Sequence, residues 1–287
     1  MPGILVGTCS WTDPALVRSG WYPPGARDAE GRLRHYAGRF PVVEVDSSFY
    51  GLPSGRNARL WAERTPDGFV FDVKAFAPLT GHRVRSAALP ADLRGAPVTD
   101  EVRAELWRRF AGALDPLRAA GRLGAVLLQL PPWTGPSEQG HRQLARCRAL
   151  AGDLPLAVEF RHPGWLAPGE LPRTLGLLAA YDLSLVAVDT APGLARSMPP
   201  VTAVTRPELA VVRFHGRSPA WGTGTKEESY RHDYTADELA GWAREIRCLS
   251  RRAHEVHVLF NNCCGSAAVE AAATMQELLA AGTADGA

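Results

Sequence analysis

Four short segments set charged or polar side chains two residues apart with an apolar or aromatic residue between them. They are Glu44-Val45-Asp46, Asp72-Val73-Lys74, Glu159-Phe160-Arg161 and Arg213-Phe214-His215-Gly216-Arg217. In an extended strand, alternate side chains share a face, so each segment presents its polar groups together. Glu44 and Asp46 are the residue types of a general acid and base, or of half a metal site. Lys74 suits an anion-binding role or a tuned amine; the plainer reading makes it the partner of Asp72 or Glu44. Glu159 with Arg161 reads equally well as a structural salt bridge. His215, between Arg213 and Arg217, belongs to a cationic cluster suited to an anionic substrate, with a satisfied core histidine as its plain alternative.

Further candidates follow from where these segments stop. Cys9-Ser10-Trp11, Ser47-Ser48-Phe49-Tyr50, Gln129-Leu130-Pro131-Pro132, His162, Asp189 and Asn261-Asn262 all close strand-like runs. We read Ser10, Trp11, Tyr50, His82, Gln129, Arg161, His162, Asp189, Arg213, Arg217, Asn261 and Asn262 as substrate-binding candidates, and Glu44, Asp46, Lys74, Glu159 and His215 as catalytic ones. Phe49, Tyr50, Trp133, Trp165 and Trp221 lie in expected loops, where aromatics stack on bases or sugars or anchor a core. Cys263-Cys264 reads as loop packing. There is no P-loop, no G-x-S-x-G elbow, and no H-x-H or H-E-x-x-H motif. A metal would need a dispersed ligand set.

The elements that position these residues form a rhythm. Short β-rich runs occur at Ile4–Cys9, Val42–Asp46, Val70–Ala75, Ala125–Leu130, Leu156–Phe160, Ser184–Asp189, Ala210–His215 and Val256–Phe260. Most are continuously apolar, as parallel strands buried on both faces are. Helical spacing of apolar residues marks Arg32–Phe40, Arg56–Arg64, Asp100–Ala120, His141–Ala151, Leu171–Tyr181, Ala236–Arg251 and Ala267–Ala280. Thr235 and Glu238 have capping-box spacing. The stretch 190–209 carries Pro192, Pro199, Pro200 and Pro207 and reads as an irregular connection; 216–234 reads as a loop. Alternating strands and helices imply a parallel sheet, and eight units in under 300 residues match a single (β/α)8 TIM-like barrel over residues 1–287. The rival, an open doubly wound sheet, often carries a glycine-rich turn after its first strand. Here Gly7-Thr8-Cys9-Ser10-Trp11 stands there instead. In a barrel, chemistry collects at the C-terminal strand ends, where the candidates lie. A charge inside a barrel is costly unless paired, so polar groups on seven of the eight strands are more than stability alone selects.

Composition bounds the rest. The 287 residues carry a net charge of +2, 46% hydrophobic and 22% charged residues, which excludes disorder, collagen and coiled coil as the main architecture. The N-terminus lacks a positive n-region, and no apolar stretch approaches the ~20 residues of a membrane span, so we expect a cytoplasmic protein with no membrane association. Five scattered cysteines without C-x-x-C read as reduced thiols. Of 32 basic residues only Lys74 and Lys226 are lysine. In so arginine-rich a chain a retained lysine is informative, because arginine cannot be deprotonated. No obligate protein partner is evident.

Beyond these patterns, the chain resembles the DUF72 (YecE-like) family. The resemblance rests on Gly7-Thr8-Cys9-Ser10-Trp11, Trp21-Tyr22-Pro23, Val43-Glu44-Val45-Asp46-Ser47-Ser48-Phe49-Tyr50, Lys74-Ala75, Leu128-Gln129-Leu130-Pro131-Pro132, Ala157-Val158-Glu159-Phe160-Arg161-His162, Val212-Arg213-Phe214-His215-Gly216-Arg217, Tyr230, Tyr234 and Phe260-Asn261-Asn262, in order along nearly the whole chain. It implies a TIM-like barrel and leaves the chemistry open. The chain departs from the family pattern in Cys263-Cys264-Gly265 after the asparagine pair, and in Gly81 between Thr80 and His82.

The functional expectation is a hydrolase of phosphodiesters, foremost a DNA endonuclease of repair type. Carboxylates would activate water, alone or through a divalent ion such as Mg, Mn or Zn, and the cations would clamp the phosphate. The near-neutral charge counts against broad DNA affinity. The alternatives are an isomerase, lyase or hydrolase of a small anionic sugar or sugar phosphate, and a non-catalytic ligand-binding barrel. A narrow recess favours the small substrate; an open groove rimmed by arginine favours DNA.

Overall fold

Eight parallel strands close into a barrel in sequence order, the last pairing with the first. The structure is a computed structural model and describes residues 3–95, 97–262 and 264–281. The strands are β1 Gly3–Thr8, β2 Val42–Val45, β3 Val70–Lys74, β4 Leu123–Gln129, β5 Leu156–Glu159, β6 Leu183–Asp189, β7 Leu209–Phe214 and β8 Glu255–Phe260. The helices are α1 Pro14–Arg18, α2 Ala29–Ala37, α3 Gly55–Glu63, α4 Asp100–Ala119, α5 Glu138–Ala151, α6 Leu171–Ala180, α7 Lys226–Tyr230, α8 Ala236–Ser250 and α9 Ala267–Ala281. All eight expected strands are present, and the barrel expectation holds.

The differences are at the ends. α5 begins three residues before His141, because Ser137 accepts the Gly140 N–H and caps it there. α2 likewise starts early, on Asp28. α1 and α7 have five residues each, too short to leave a periodic pattern. The β6–β7 connection carries no helix, as its prolines imply. The capping box of Thr235 and Glu238 forms at the start of α8. Among the described residues no helix is long and apolar enough to cross a membrane.

Apolar side chains fill the layer between strands and helices. Phe214 and Phe260 stack at 4.4 Å and Phe214 meets Trp242 of α8 at 5.3 Å, while Phe160 stacks on Trp165 at 4.6 Å. Full burial of one such ring stabilises by roughly 1.5–3 kcal/mol.

The barrel interior carries two polar layers, one at the floor and one at the mouth, among apolar inward residues such as Val42, Val211 and Leu259. At the floor, buried His257 places Nδ1 2.8 Å from Asp72 and Nε2 2.6 Å from Glu255. Gly124 leaves room for this contact, since a Cβ there would lie 2.5 Å from Asp72 Oδ1 and 2.6 Å from His257 Cε1. Burial works against the imidazolium, but Asp72 and Glu255 outweigh it and raise the His257 pKa to about 10. Asp72 therefore belongs to a floor ion pair with His257 and does not pair with Lys74.

Candidate functional site at the barrel mouth

Above the floor, the inward residues of five strands form one charged chain. Arg213 of β7 is fully buried between two carboxylates: it donates to Glu44 of β2 at 2.7 Å and to Glu159 of β5. Glu159 also pairs with Arg161, and His215 Nε2 lies 3.3 Å from it. Arg161 donates to Gln129 of β4 at 3.1 Å and lies 3.3 Å from His215. Asn261, just past β8, puts its amide 3.1 Å from His215 Nδ1. On the other side, Lys74 Nζ donates to Asp46 at 2.7 Å and sits 4.5 Å above the Phe49 ring. Ser48 holds the two strands in place by donating to Val45 O and Lys74 O, each at 2.6 Å. His82 packs on Phe49 at 5.0 Å, and Thr80 Oγ1 stays 2.9 Å from its Nδ1 despite the intervening Gly81.

Burial sets the protonation of this chain. Glu44 has one oxygen on Arg213, while its Oε2 is buried with no hydrogen-bond partner among the described residues. Burial raises its pKa most; Arg213 opposes this and Asp46 adds to it, leaving a pKa of about 7. Burial also acts to raise Glu159, but Arg161 and Arg213 prevail and hold it well below the usual carboxylate range. Burial and then Arg161 lower His215 to about 3, so it is neutral across the physiological range. His82 falls to about 4 by burial, with Lys74 and Arg161 assisting. Among the described residues, no three His, Cys, Asp or Glu side chains are grouped to hold a metal ion.

A recess of about 190 Å³ opens over Arg161 and Gln129. Its walls are Trp221 and Tyr230 from the 216–234 loop and Arg196 from the β6–β7 connection. Trp221 stacks on His215 at 5.5 Å, carries Arg161 over its face at 5.5 Å, and donates its indole N–H to Arg196 O at 3.2 Å. Trp221 stands out in the sequence as a loop aromatic. Arg196 does not, because one arginine among thirty in an irregular connection carries no local signal.

Several candidates lie elsewhere. Asp189 is the register partner of Phe214, whose ring packs outward, so Asp189 also faces outward. There it accepts from Trp242 Nε1 at 2.9 Å, Tyr234 Oη at 2.7 Å and Arg217 Nη2 at 2.8 Å. Arg217 leaves the shared face of Arg213 and His215 because Gly216, at φ +88°, breaks the strand alternation. Both are corrected from substrate contacts to the packing of α8. Trp11 is buried against Trp61 and Phe71, and His162 accepts the Gly164 N–H at 3.1 Å, so both are structural. Asn262 donates to His232 O at 2.9 Å and ties down the 216–234 loop. Ser10 accepts the Thr12 N–H at 3.0 Å in a turn where its own φ is +127°, a conformation costing about 1–3 kcal/mol. Trp165 is a core anchor on Thr134 O. Tyr50 and Trp133 flank the mouth at 58% and 65% exposure. Cys264 donates its N–H to Asn262 O at 2.8 Å; Cys263 lies outside the described residues.

The comparisons agree with this architecture. The family profile described as "Protein of unknown function DUF72" matches residues 5–286. The UPF0759 protein YunF of Bacillus subtilis is 32% identical over 282 residues, covering 96% of this chain and 94% of YunF. The UPF0759 protein YecE of Escherichia coli K12 is 31% identical over 176 residues, 60% of this chain and 53% of YecE. Crystal structures of DUF72 family proteins from Enterococcus faecalis and Thermotoga maritima superpose with TM-scores of 0.81 and 0.80, at 26% and 28% identity. The first covers 98% of both chains, the second 97% of this chain and 99% of its own. A barrel of this closure, carrying the charged mouth motifs from end to end, together with these matches, places the chain in the DUF72 (UPF0759) family.

Proposed function

We propose that the barrel is an enzyme acting on a small anionic substrate, a sugar acid or sugar phosphate, by general acid–base chemistry at its mouth. The observation that carries this reading is the recess of about 190 Å³ between Arg161, Arg196, Trp221 and Tyr230. It is smaller than the ~300–1,000 Å³ of drug-sized sites, and two guanidiniums and two aromatic rings line it. Arg161 and Arg196 bind the anion, and the rings pack on its carbon skeleton. Lys74 and Asp46, with side chains 8% and 19% exposed, are the charged pair that reaches the mouth. They stand outside the lining of the recess, with His82 near both Lys74 and Arg161, and their assigned role is proton exchange with the part of the substrate that extends from the recess toward them. Glu44 lies beneath them and changes charge near neutral pH, so it sets the field in which Asp46 and Lys74 work.

A second reading, the phosphodiester hydrolase acting on DNA, is favoured by one observation. Tyr50 and Trp133 are large aromatics left exposed beside the mouth, as base-stacking groups are. One experiment separates the two. The purified protein is incubated with a panel of sugar acids and sugar phosphates followed by NMR, and with supercoiled plasmid. Turnover of a panel member that is lost in Lys74→Met and Asp46→Asn supports the small-substrate enzyme. Plasmid nicking lost in the same variants, with the panel untouched, overturns it in favour of the nuclease. Inertness toward both overturns both and leaves the ligand-binding barrel.

A further inference from the structure

Beside the mouth, between α4 and α5, lies a second recess of about 300 Å³ that no step of the proposed chemistry uses. Arg103 of α4 and Arg142 and Arg146 of α5 line it, and no carboxylate does. Trp133 forms its outer edge and reaches back to His82 of the mouth at 5.9 Å. Trp107 lies at its base, 1% exposed, and its indole N–H has no hydrogen-bond partner among the described residues. Ser137, Gln139 and Gly140 line it as well, so the positive end of the 14-residue helix α5 borders the same space.

The arginines have local partners, and these leave capacity. Asp100 serves both Arg103 and Arg146, so two guanidiniums share one carboxylate. Arg142 meets Glu138 at 3.1 Å, but both side chains are exposed, 69% and 88%, and such a pair is worth at most about 1 kcal/mol. Three guanidiniums thus face two carboxylates that stand outside the lining, and each guanidinium offers up to five donors. A carboxylate ligand would engage one planar fork. A phosphate, with three terminal oxygens, matches donors converging from two helices. The exposed Trp133 ring at the edge offers a stacking face to whatever the phosphate carries.

We propose that this recess binds a phosphomonoester, its phosphate held by Arg103, Arg142 and Arg146 and its ring-shaped organic part lying on Trp133. The site is separate from the mouth, and the proposal stands whether or not the mouth turns over a small anion.

The test is calorimetric titration of the full chain in an Arg161→Met background, which removes one of the mouth's two anion contacts and leaves Arg196. The probes are phenyl phosphate, inorganic phosphate and phenol. Phenyl phosphate is expected to saturate in the millimolar range or tighter, to bind better than inorganic phosphate, and to outcompete phenol. Adding R142E and R146E is expected to weaken both phosphates at least about tenfold, the effect of losing charge-assisted hydrogen bonds. Both positions are exposed, so the fold is retained, and circular dichroism checks this; R142A with R146A is the milder substitute. Trp133→Ala is expected to erase the advantage of phenyl over inorganic phosphate and leave the latter unchanged. No saturable phosphate binding in the Arg161→Met background, or equal binding with and without R142E and R146E, overturns the proposal.

Discussion

Replacing Arg213 by methionine removes the guanidinium that touches both Glu44 and Glu159, and does so where all three side chains are fully buried. The volume is nearly kept, so the loss is electrostatic. Breaking a buried pair by removing one partner costs about 3–5 kcal/mol, because a charge is left without compensation. Here two carboxylates are affected, and the cost depends on pH. In the native protein Arg213 is the main opponent of the burial that raises Glu44 to about 7, and after Arg161 it is the cation that holds Glu159 down. Without it both carboxyls move up. A carboxyl whose folded pKa lies above its unfolded value loses stability as pH rises beyond the unfolded value, until the folded pKa is passed. The penalty of Arg213→Met is therefore expected to be near its full 3–5 kcal/mol at pH 8 and to shrink toward pH 5, where Glu44 is protonated in both proteins. Urea unfolding of both proteins at pH 5, 6.5 and 8 measures it. A penalty under about 1 kcal/mol at pH 8, or one that does not change with pH, refutes the view of Arg213 as the clamp of two buried carboxylates.

Three further outcomes follow from the same geometry. The His257 pKa, raised to about 10, contributes stability that is fully present below its unfolded value of 6.5 and is lost as pH rises through 10; His257→Gln should flatten the alkaline limb of a stability–pH profile, and an unchanged limb would place that limb elsewhere. Asp189→Ala leaves Tyr234 and Trp242 without their acceptor and Arg217 with Glu238 alone, and should cost about 1–3 kcal/mol by thermal or urea unfolding, with no effect on anion binding at the mouth; a binding defect in a folded Asp189 variant would return it to the site. His215, neutral above about pH 3, should show no titration between pH 5 and 8 when its ring proton shifts are followed by NMR, whereas a midpoint near 6.5 would mean that the mouth is wetter than its burial implies.

Much of this architecture is legible in the chain. The eight strands show because each is a short apolar run that must be buried on both faces. The closed barrel follows because strand and helix alternate eight times. The pairing of Glu44 with Asp46, of Glu159 with Arg161 and of Arg213 with His215 on one face follows from the two-residue period of a strand. Residue type and spacing thus determine that a charged set lines the mouth. Only the tertiary structure decides which charge meets which. Asp72 and Lys74 share a face, yet the stagger of the barrel gives Asp72 to His257, 185 residues away, and Lys74 to Asp46. Arg217 follows the alternating pattern on paper, but one glycine at positive φ turns it to Asp189 outside the barrel. Arg196 reaches the mouth from an irregular connection whose path no periodicity records. Local pattern sets which face a side chain takes, because backbone geometry repeats every two residues. Partners, burial and hence protonation depend on the closure of strands far apart in sequence, and that closure exists only in the folded chain.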